Sequence, residues 1–339
     1  MHEGNNGRGS AGLYEMKLKN INKILFITLS NIGDVILTLS VLSALKDSFP
    51  DGEIDVVVGP RPKEIFVKDP KVRRIFTYDK HARLKEKIDF IKTLRKERYD
   101  LVVDMRTSMI PVLIGAKNRS SLVSINKGAL RHKRAVHLNR LKNIGIESKR
   151  TQNIYIDNKD RERVRLLLEE GGLRKGDILI GVSPACRSLL KQWRIEGFIE
   201  VIGSLLREGR YKIVLIGDPS QVAISRDIKD AIRHKDLIDL TGRTNLNELF
   251  AAIERMRVLL TCDSASMHIA CDLGVKVAAI FGPTDIEEYG PTGKGDIVIQ
   301  RSLRCSPCKK AVCRFDRECM EGIDAQEVLE ALKKLIALG

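Results

Sequence analysis

From residue 23 onward the chain repeats one unit: an apolar run, a turn, and a segment whose apolar positions recur at helical spacing. This is the pattern of a parallel sheet covered by helices. In the first half the spacing predicts strands over 23–29, 54–58 and 100–104 and helices over 35–48 and 84–98, with Pro50, Pro60 and Pro62 marking turns. A second series begins near residue 178. It predicts strands over 178–182, 211–216, 237–240, 258–261 and 275–281, interleaved with helices over 195–208, 221–234, 246–255 and 264–273. Two such series imply an α/β chain of two doubly wound domains, with a ligand site in the cleft between them, because open α/β sheets bind at the carboxyl ends of their strands. Apolar periodicity lapses through 145–160. The expected division is a disordered leader over 1–20, a first domain over 21–153, a second over 154–323 and a final helix over 324–339.

Residues 24–45 carry one charged side chain and are apolar enough to suggest a membrane span, but Asn31, Gly33 and Asp34 stand at the centre, where a carboxylate is most costly in lipid. The first twenty residues are polar and glycine-rich without an apolar h-region, so no secretion signal is expected. Seven unevenly spaced cysteines argue against a disulfide framework and for a reducing, cytoplasmic compartment. The 339 residues hold 59 Lys and Arg against 44 Asp and Glu, a net charge of +15 that favours anionic partners. Much of the excess lies in 117–150, where Lys117, Arg119, Lys127, Arg131, Lys133, Arg134, Arg140, Lys142, Lys149 and Arg150 face only Glu147. A solvated face and an anion-binding surface both fit that run. Nucleic acid fits less well, since the segment has no Phe, Tyr or Trp on which bases could stack.

Three strand-end loops could carry chemistry. In Ser30-Asn31-Ile32-Gly33-Asp34, Gly33 permits close approach to a ligand, and Asp34 either caps the following helix or takes a proton from a hydroxyl in the cleft. In Ser183 to Arg194, Arg187 and Lys191 could neutralise a diphosphate, or the segment is an ordinary basic loop anchored by Trp193. In Thr261 to His268, backbone N–H groups at Ser264, Ala265 and Ser266 could form an anion site at a helix N-terminus, with Asp263 suited to sugar hydroxyls; the alternative is a helix cap and a structural His268. Phe281-Gly282-Pro283-Thr284-Asp285 adds a rigid turn on the same edge.

In this order the loops resemble glycosyltransferase family 9, the heptosyltransferases of lipopolysaccharide core assembly. The motifs are Ser30-Asn31-Ile32-Gly33-Asp34-Val35, Lys191-Gln192-Trp193, Asp239-Leu240-Thr241-Gly242, Asp263-Ser264-Ala265-Ser266-Met267-His268, Phe281-Gly282-Pro283-Thr284-Asp285 and Cys305-Ser306-Pro307-Cys308. The resemblance implies a GT-B fold of two Rossmann-like domains, acceptor on the first and nucleotide-sugar on the second. It implies inverting, metal-independent transfer of heptose or a related sugar from an ADP-sugar to a lipid-linked or core oligosaccharide at the cytoplasmic face of the inner membrane. Asp34 then corresponds to the general base and Lys191 to the holder of the leaving diphosphate. Ser183, Arg187, Trp193, Gly217, Asp263, Ser264, Ala265, His268 and Thr284 fall with the donor. Asn31, Gly33, Arg61, Arg106 and Arg119 fall with an anionic acceptor. Two positions depart from the pattern: Ala265 stands where relatives carry glycine, and Gln221 stands near a glutamate of theirs. In this fold the final helix is expected to pack back on the first domain.

Cys305, Cys308, Cys313 and Cys319 are spaced so that four thiolates could enclose a structural zinc, or could be packed in an irregular loop. Rival functions that keep these residues are another nucleotide-sugar conversion such as epimerisation, which needs no acceptor, and a non-catalytic module for anionic glycans or RNA.

Overall fold

The computed structural model describes residues 18, 20–120, 130–142, 144–148, 150, 152–308 and 310–338. The leader expected over 1–20 therefore lies outside them except for Leu18 and Asn20, as do Lys127 and Lys149. The first unit runs β1 (Lys23–Ile27), α1 (Ile32–Ser48), β2 (Glu53–Val58), α2 (Glu64–Val67), β3 (Arg74–Thr77), α3 (Leu84–Lys96), β4 (Leu101–Asp104), α4 (Ile110–Leu113), β5 (Asn118–Arg119) and α5 (Lys133–Lys142). The second runs α6 (Asn158–Glu170), β6 (Ile178–Ser183), α7 (Ile195–Arg207), β7 (Tyr211–Leu215), α8 (Val222–Ile232), β8 (Leu237–Asp239), α9 (Leu246–Glu254), β9 (Val258–Cys262), α10 (Ala265–Leu273), β10 (Lys276–Phe281), α11 (Ile286–Tyr289), β11 (Ile297–Gln300), α12 (Glu318–Glu321) and α13 (Ala325–Ala337). The sheets are ordered β3-β2-β1-β4-β5 and β11-β10-β9-β6-β7-β8, with every pairing parallel.

Every strand and helix expected from the spacing is present. The elements that spacing did not predict are the edge strands β3, β5 and β11, the polar helices α5 and α6, and the one-turn helices α2, α4, α11 and α12. β3, β5 and β11 are two to four residues long and stand at or next to sheet edges, so they lack the apolar run of a central strand. α6 is charged on most of its surface and buries little more than Val164, Leu167 and Leu168, one turn-spaced stripe against α9.

Helix α1 explains the apolar stretch over 24–45. Its residues Val35 to Leu45 are buried on every side because the first sheet covers one face and α5 and α10 cover the other. No helix among the described residues is long and apolar enough to cross a membrane. The contact of α1 with α10 joins the two units, and Val35, Ile36 and Leu39 share one buried cluster with Met267, Ile269 and Ala270.

Half of the cations in the basic run over 117–150 are engaged in ion pairs or hydrogen bonds, whereas Lys117 and Arg119 stay exposed, so neither of its two readings describes the whole segment. Arg131 pairs with Asp285 at 2.6 Å and with Glu287, and Lys133 pairs with Glu288 at 3.3 Å. Arg134 reaches Asp272 at 3.6 Å, Arg150 pairs with Asp47 at 2.5 Å, and Arg140 donates to the carbonyls of Asp104 and Met105. The first three clasp the second unit, so the charges act across the cleft.

The final helix also differs from expectation. α13 packs on α7 and on β9, β10 and β11, within the second unit, and not back on the first. Val328, Leu329, Leu332, Leu335 and Ile336 form a stripe that completes the buried cluster around Trp193 and Phe198. Without it that face of the second sheet would lie open.

The connection between the units is pinned by one carboxylate. Asp272, 2% exposed near the end of α10, accepts the backbone N–H of Asn153 at 2.7 Å and of Ile154 at 2.8 Å, and the Asn153 side-chain amide at 2.7 Å. Asp272→Ala removes the acceptor these donors share and should cost about 3 kcal/mol in urea denaturation. Glu254→Ala, which breaks only the exposed Arg161–Glu254 pair, should cost less than about 1 kcal/mol.

Candidate active site

The N-terminus of α1 settles which residue caps it. Asn31 is the N-cap, with extended backbone, and its side chain makes no capping bond; Asp34 sits inside the first turn. The Asn31 amide instead donates from Nδ2 to Asp34 Oδ2 at 2.9 Å, while its Oδ1 accepts from Arg187 Nη1 at 3.2 Å. Arg187 belongs to the second unit, so this contact spans the cleft. A Cβ at Gly33 would stand 3.3 Å from His268 Cδ2 and 3.7 Å from Ala265 Cα, which shows how closely the starts of α1 and α10 approach. Any larger residue at position 33 would press into that contact.

On the second unit, Lys191 Nζ pairs with Asp263 Oδ2 at 2.6 Å. Ser264 is the N-cap of α10 but makes no capping bond, because its hydroxyl meets Thr261 Oγ1 at 2.9 Å. The first N–H groups of α10 thus lack a side-chain cap and point toward the cleft, where a partial positive charge favours an anion. Ser183 at the end of β6 donates to Ser266 at 3.3 Å, and Thr284 is buried in the loop after β10. Asp34, Lys191, Asp263, Ser264, Ala265 and His268 are therefore gathered at one junction.

Burial holds the His268 imidazole neutral and pushes its pKa down to about 4, against the opposing charges of Asp263 and Asp34. The nearby phenol of Tyr289 is pushed up, first by burial and then by Asp34, Glu288 and Asp263. Tyr289 was not expected at the site. It ends α11, just past the loop of residues 281–285, and only the folded chain brings it beside two carboxylates.

Other expected residues stand elsewhere. Trp193 is 1% exposed, packs edge-on against Phe198 with ring centroids 5.0 Å apart, and donates its N–H to the Ile323 carbonyl at 3.2 Å. Its side chain is a core pillar beneath the Lys191 loop, and the buried indole presents no surface to a donor, unlike its assignment from the sequence. Gln221 is occupied locally, accepting from Asp218 N at 3.1 Å next to Gly217. Arg106 is half-buried, donates to Ser30 Oγ at 3.2 Å and stacks 5.1 Å from the Tyr78 ring centre, whereas Arg61 and Arg119 are exposed. Of the two readings of the cysteine loop, zinc finds no support: among the described residues no group of three or more His, Cys, Asp or Glu side chains is arranged to hold a metal. Cys319 is turned into the core below Gly282, while Cys305, Cys308 and Cys313 stay in a half-exposed loop. That loop buttresses the site instead, since Arg317 donates to the carbonyls of Leu189 at 2.9 Å and Gln192 at 3.3 Å on either side of Lys191.

The buried histidines make stability pH-dependent. His268 and His137 are both pushed down to about 4, so the unfolded chain takes up protons near 6.5 that the native state refuses. Stability should be full above pH 6.5, fall by on the order of 3 kcal/mol per histidine toward pH 4, and contribute no further loss below it. Urea unfolding at pH 7 and pH 4.5 checks this, and His137→Gln should remove part of the fall.

Comparison with known proteins gives the fold and the family. A glycosyltransferase family 9 structure from Veillonella parvula superposes with a TM-score of 0.81 at 23% identity, over 96% of this chain and 99% of the other. Escherichia coli ADP-heptose lipopolysaccharide heptosyltransferase II superposes with a TM-score of 0.73 at 19% identity, over 93% and 99%. These overlays give the fold, GT-B. In sequence, lipopolysaccharide heptosyltransferase 3 of Escherichia coli (strain K12) is 27% identical over 334 residues, 90% of this chain and 95% of the relative. The family model for glycosyltransferase family 9 (heptosyltransferase) matches residues 88–318, well over half of the sequence, and the chain belongs to that family of glycosyltransferases.

Proposed function

We propose that the chain transfers heptose from ADP-heptose to a lipopolysaccharide core acceptor, with inversion at the anomeric carbon and no catalytic metal. The observation that carries this reading is the meeting of Asp34, at the start of α1, with the Lys191–Asp263 pair and the start of α10. In this mechanism the acceptor hydroxyl lies on the first unit beside Asp34, whose carboxylate removes its proton as the oxygen attacks the anomeric carbon. The bond from that carbon to the β-phosphate oxygen breaks on the opposite face, and ADP leaves with the electron pair. Lys191 and the N–H groups at Ser264, Ala265 and Ser266 receive the charge that develops on the diphosphate, a task that a divalent metal performs in other transferases. Asp263 accepts from sugar hydroxyls once Lys191 turns to phosphate. Ala265 can serve there because its N–H still donates.

Asp34→Asn should lower turnover by about 10²- to 10⁴-fold while leaving ADP affinity within a few-fold. Lys191→Ala should weaken ADP binding and turnover together, and EDTA should affect neither in the wild type. Near-normal turnover in Asp34→Asn would overturn the assignment of the base. Tighter binding of UDP or GDP than ADP would reassign the donor.

We further propose that the acceptor is lipid-linked and that the first unit docks on the anionic leaflet holding it. Leu84 and Ile88 of α3 and Met109, Val112 and Leu113 at α4 are exposed on adjacent helices, an apolar patch on the outer face of the first sheet. Lys80, Lys85, Lys117 and Arg119 lie nearby in sequence, are exposed, and form no ion pair among the described residues, which suits anionic headgroups. Arg106, between Tyr78 and Ser30, links the patch to the Asp34 loop. The full chain should float with vesicles containing phosphatidylglycerol more than with neutral vesicles, and Met109→Asp/Leu113→Asp should reduce this at least tenfold without changing Tm or turnover on a delipidated acceptor. Equal binding by the variant, or loss of self-association in place of vesicle binding, would refute the docking surface alone.

A further inference from the structure

Asn31 holds an unusual post for an N-cap. Residues of its type at that position ordinarily accept a backbone N–H of the first turn, yet its side chain accepts none. Its two ends are used otherwise: Nδ2 donates to Asp34 Oδ2 at 2.9 Å and Oδ1 accepts from Arg187 Nη1 at 3.2 Å. The amide cannot be reversed, because its oxygen would then face a carboxylate and its NH2 a guanidinium. A cation on the second unit therefore dictates the orientation of an amide on the first, and that amide dictates which oxygen of Asp34 is engaged.

We propose that Asn31 is a positioning residue for the general base, and that Arg187 makes this positioning depend on the two units being closed against each other. The inference rests on Asp34 being the base. Holding Oδ2 leaves Oδ1 of Asp34 for the acceptor hydroxyl and restrains the carboxylate in one rotamer. Arg187 lies in the same loop as Lys191, four residues before it, and the Cys186 thiol donates to the Lys191 carbonyl at 3.8 Å. Donor contacts at Lys191 and the base at Asp34 thus sit at opposite ends of one short chain of side chains. The other groups near this carboxylate are neutral His268, the Tyr289 phenol and the Lys191–Asp263 pair, and among the described residues none of them hydrogen-bonds to Asp34.

The test is steady-state kinetics of the full chain with ADP-heptose across pH, for Asn31→Ala, Arg187→Ala, Arg187→Lys and the double variant. Asn31→Ala should lower kcat at least tenfold with the KM for donor within threefold. The acid limb of its kcat/KM profile should move to higher pH, since a carboxylate that loses a donated hydrogen bond holds its proton more tightly. Arg187→Ala should lower kcat less, add little in the Asn31→Ala background, and be partly restored by Arg187→Lys. An unmoved acid limb in Asn31→Ala, or multiplicative effects of the two alanine substitutions, would overturn the inference, because a merely structural role gives those results. Asp34→Asn run alongside separates the two readings: if it retains turnover and the acid limb, the base assignment fails first.

Discussion

The packing of α1 against α10 is the contact on which the site depends. Each helix begins at the carboxyl edge of its own parallel sheet, where βαβ connections leave the first-turn N–H groups unpaired. Neither helix spends its N-cap side chain on those groups, since Asn31 reaches Asp34 and Ser264 reaches Thr261. Gly33 allows the two starts to meet, and the buried cluster of Val35, Ile36, Leu39, Met267 and Ala270 keeps them there. Asp34 and the Lys191–Asp263 pair are thereby brought to one junction around His268. Their geometry is a property of the interface between units, and neither unit holds it alone.

Charge reinforces that interface. By sequence the central basic run fitted a solvated face or a surface for anions, but Arg131, Lys133 and Arg134 close on Asp285, Glu287, Glu288 and Asp272 of the second unit. Such pairs are individually weak where they are exposed, yet several along one seam restrain how far the units can separate. Support for the donor loop comes from beneath. Trp193 fills the core under Lys191, with α7 so close that a Cβ at Gly197 would overlap the indole, and Arg317 clasps the carbonyls on either side of the turn. The cysteine-containing loop contributes through this arginine.

Much of the architecture was legible before folding because its signals are local. Central strands of a parallel sheet are buried on both faces, so β1, β2, β4, β6, β7, β9 and β10 appear as apolar runs, and the helices between them repeat at helical spacing. The short strands β3, β5 and β11 and the charged helix α6 carry little such signal and were not legible. Asp34, Lys191, Asp263 and His268 could be singled out because each follows a strand end, which is where this class of fold places chemistry. Tyr289 and Arg317 could not, since nothing local distinguishes an aromatic after a turn or an arginine in an irregular loop.

By itself the sequence determined the two βα series, the strand-end loops that carry the family's motifs, and the family to which those loops point. Hydrophobic period and turn residues act over a few positions, and the chain states them directly. Tertiary structure decided what depends on which surfaces meet: that the Trp193 side chain packs in the core, that Arg131, Lys133 and Arg134 bind the second unit, that α13 stays with the second sheet, and that the Asn31 amide reaches Asp34. Each is a choice among partners distant in the chain. The burial of apolar area and the pairing of charges settle such a choice only when both units are in place.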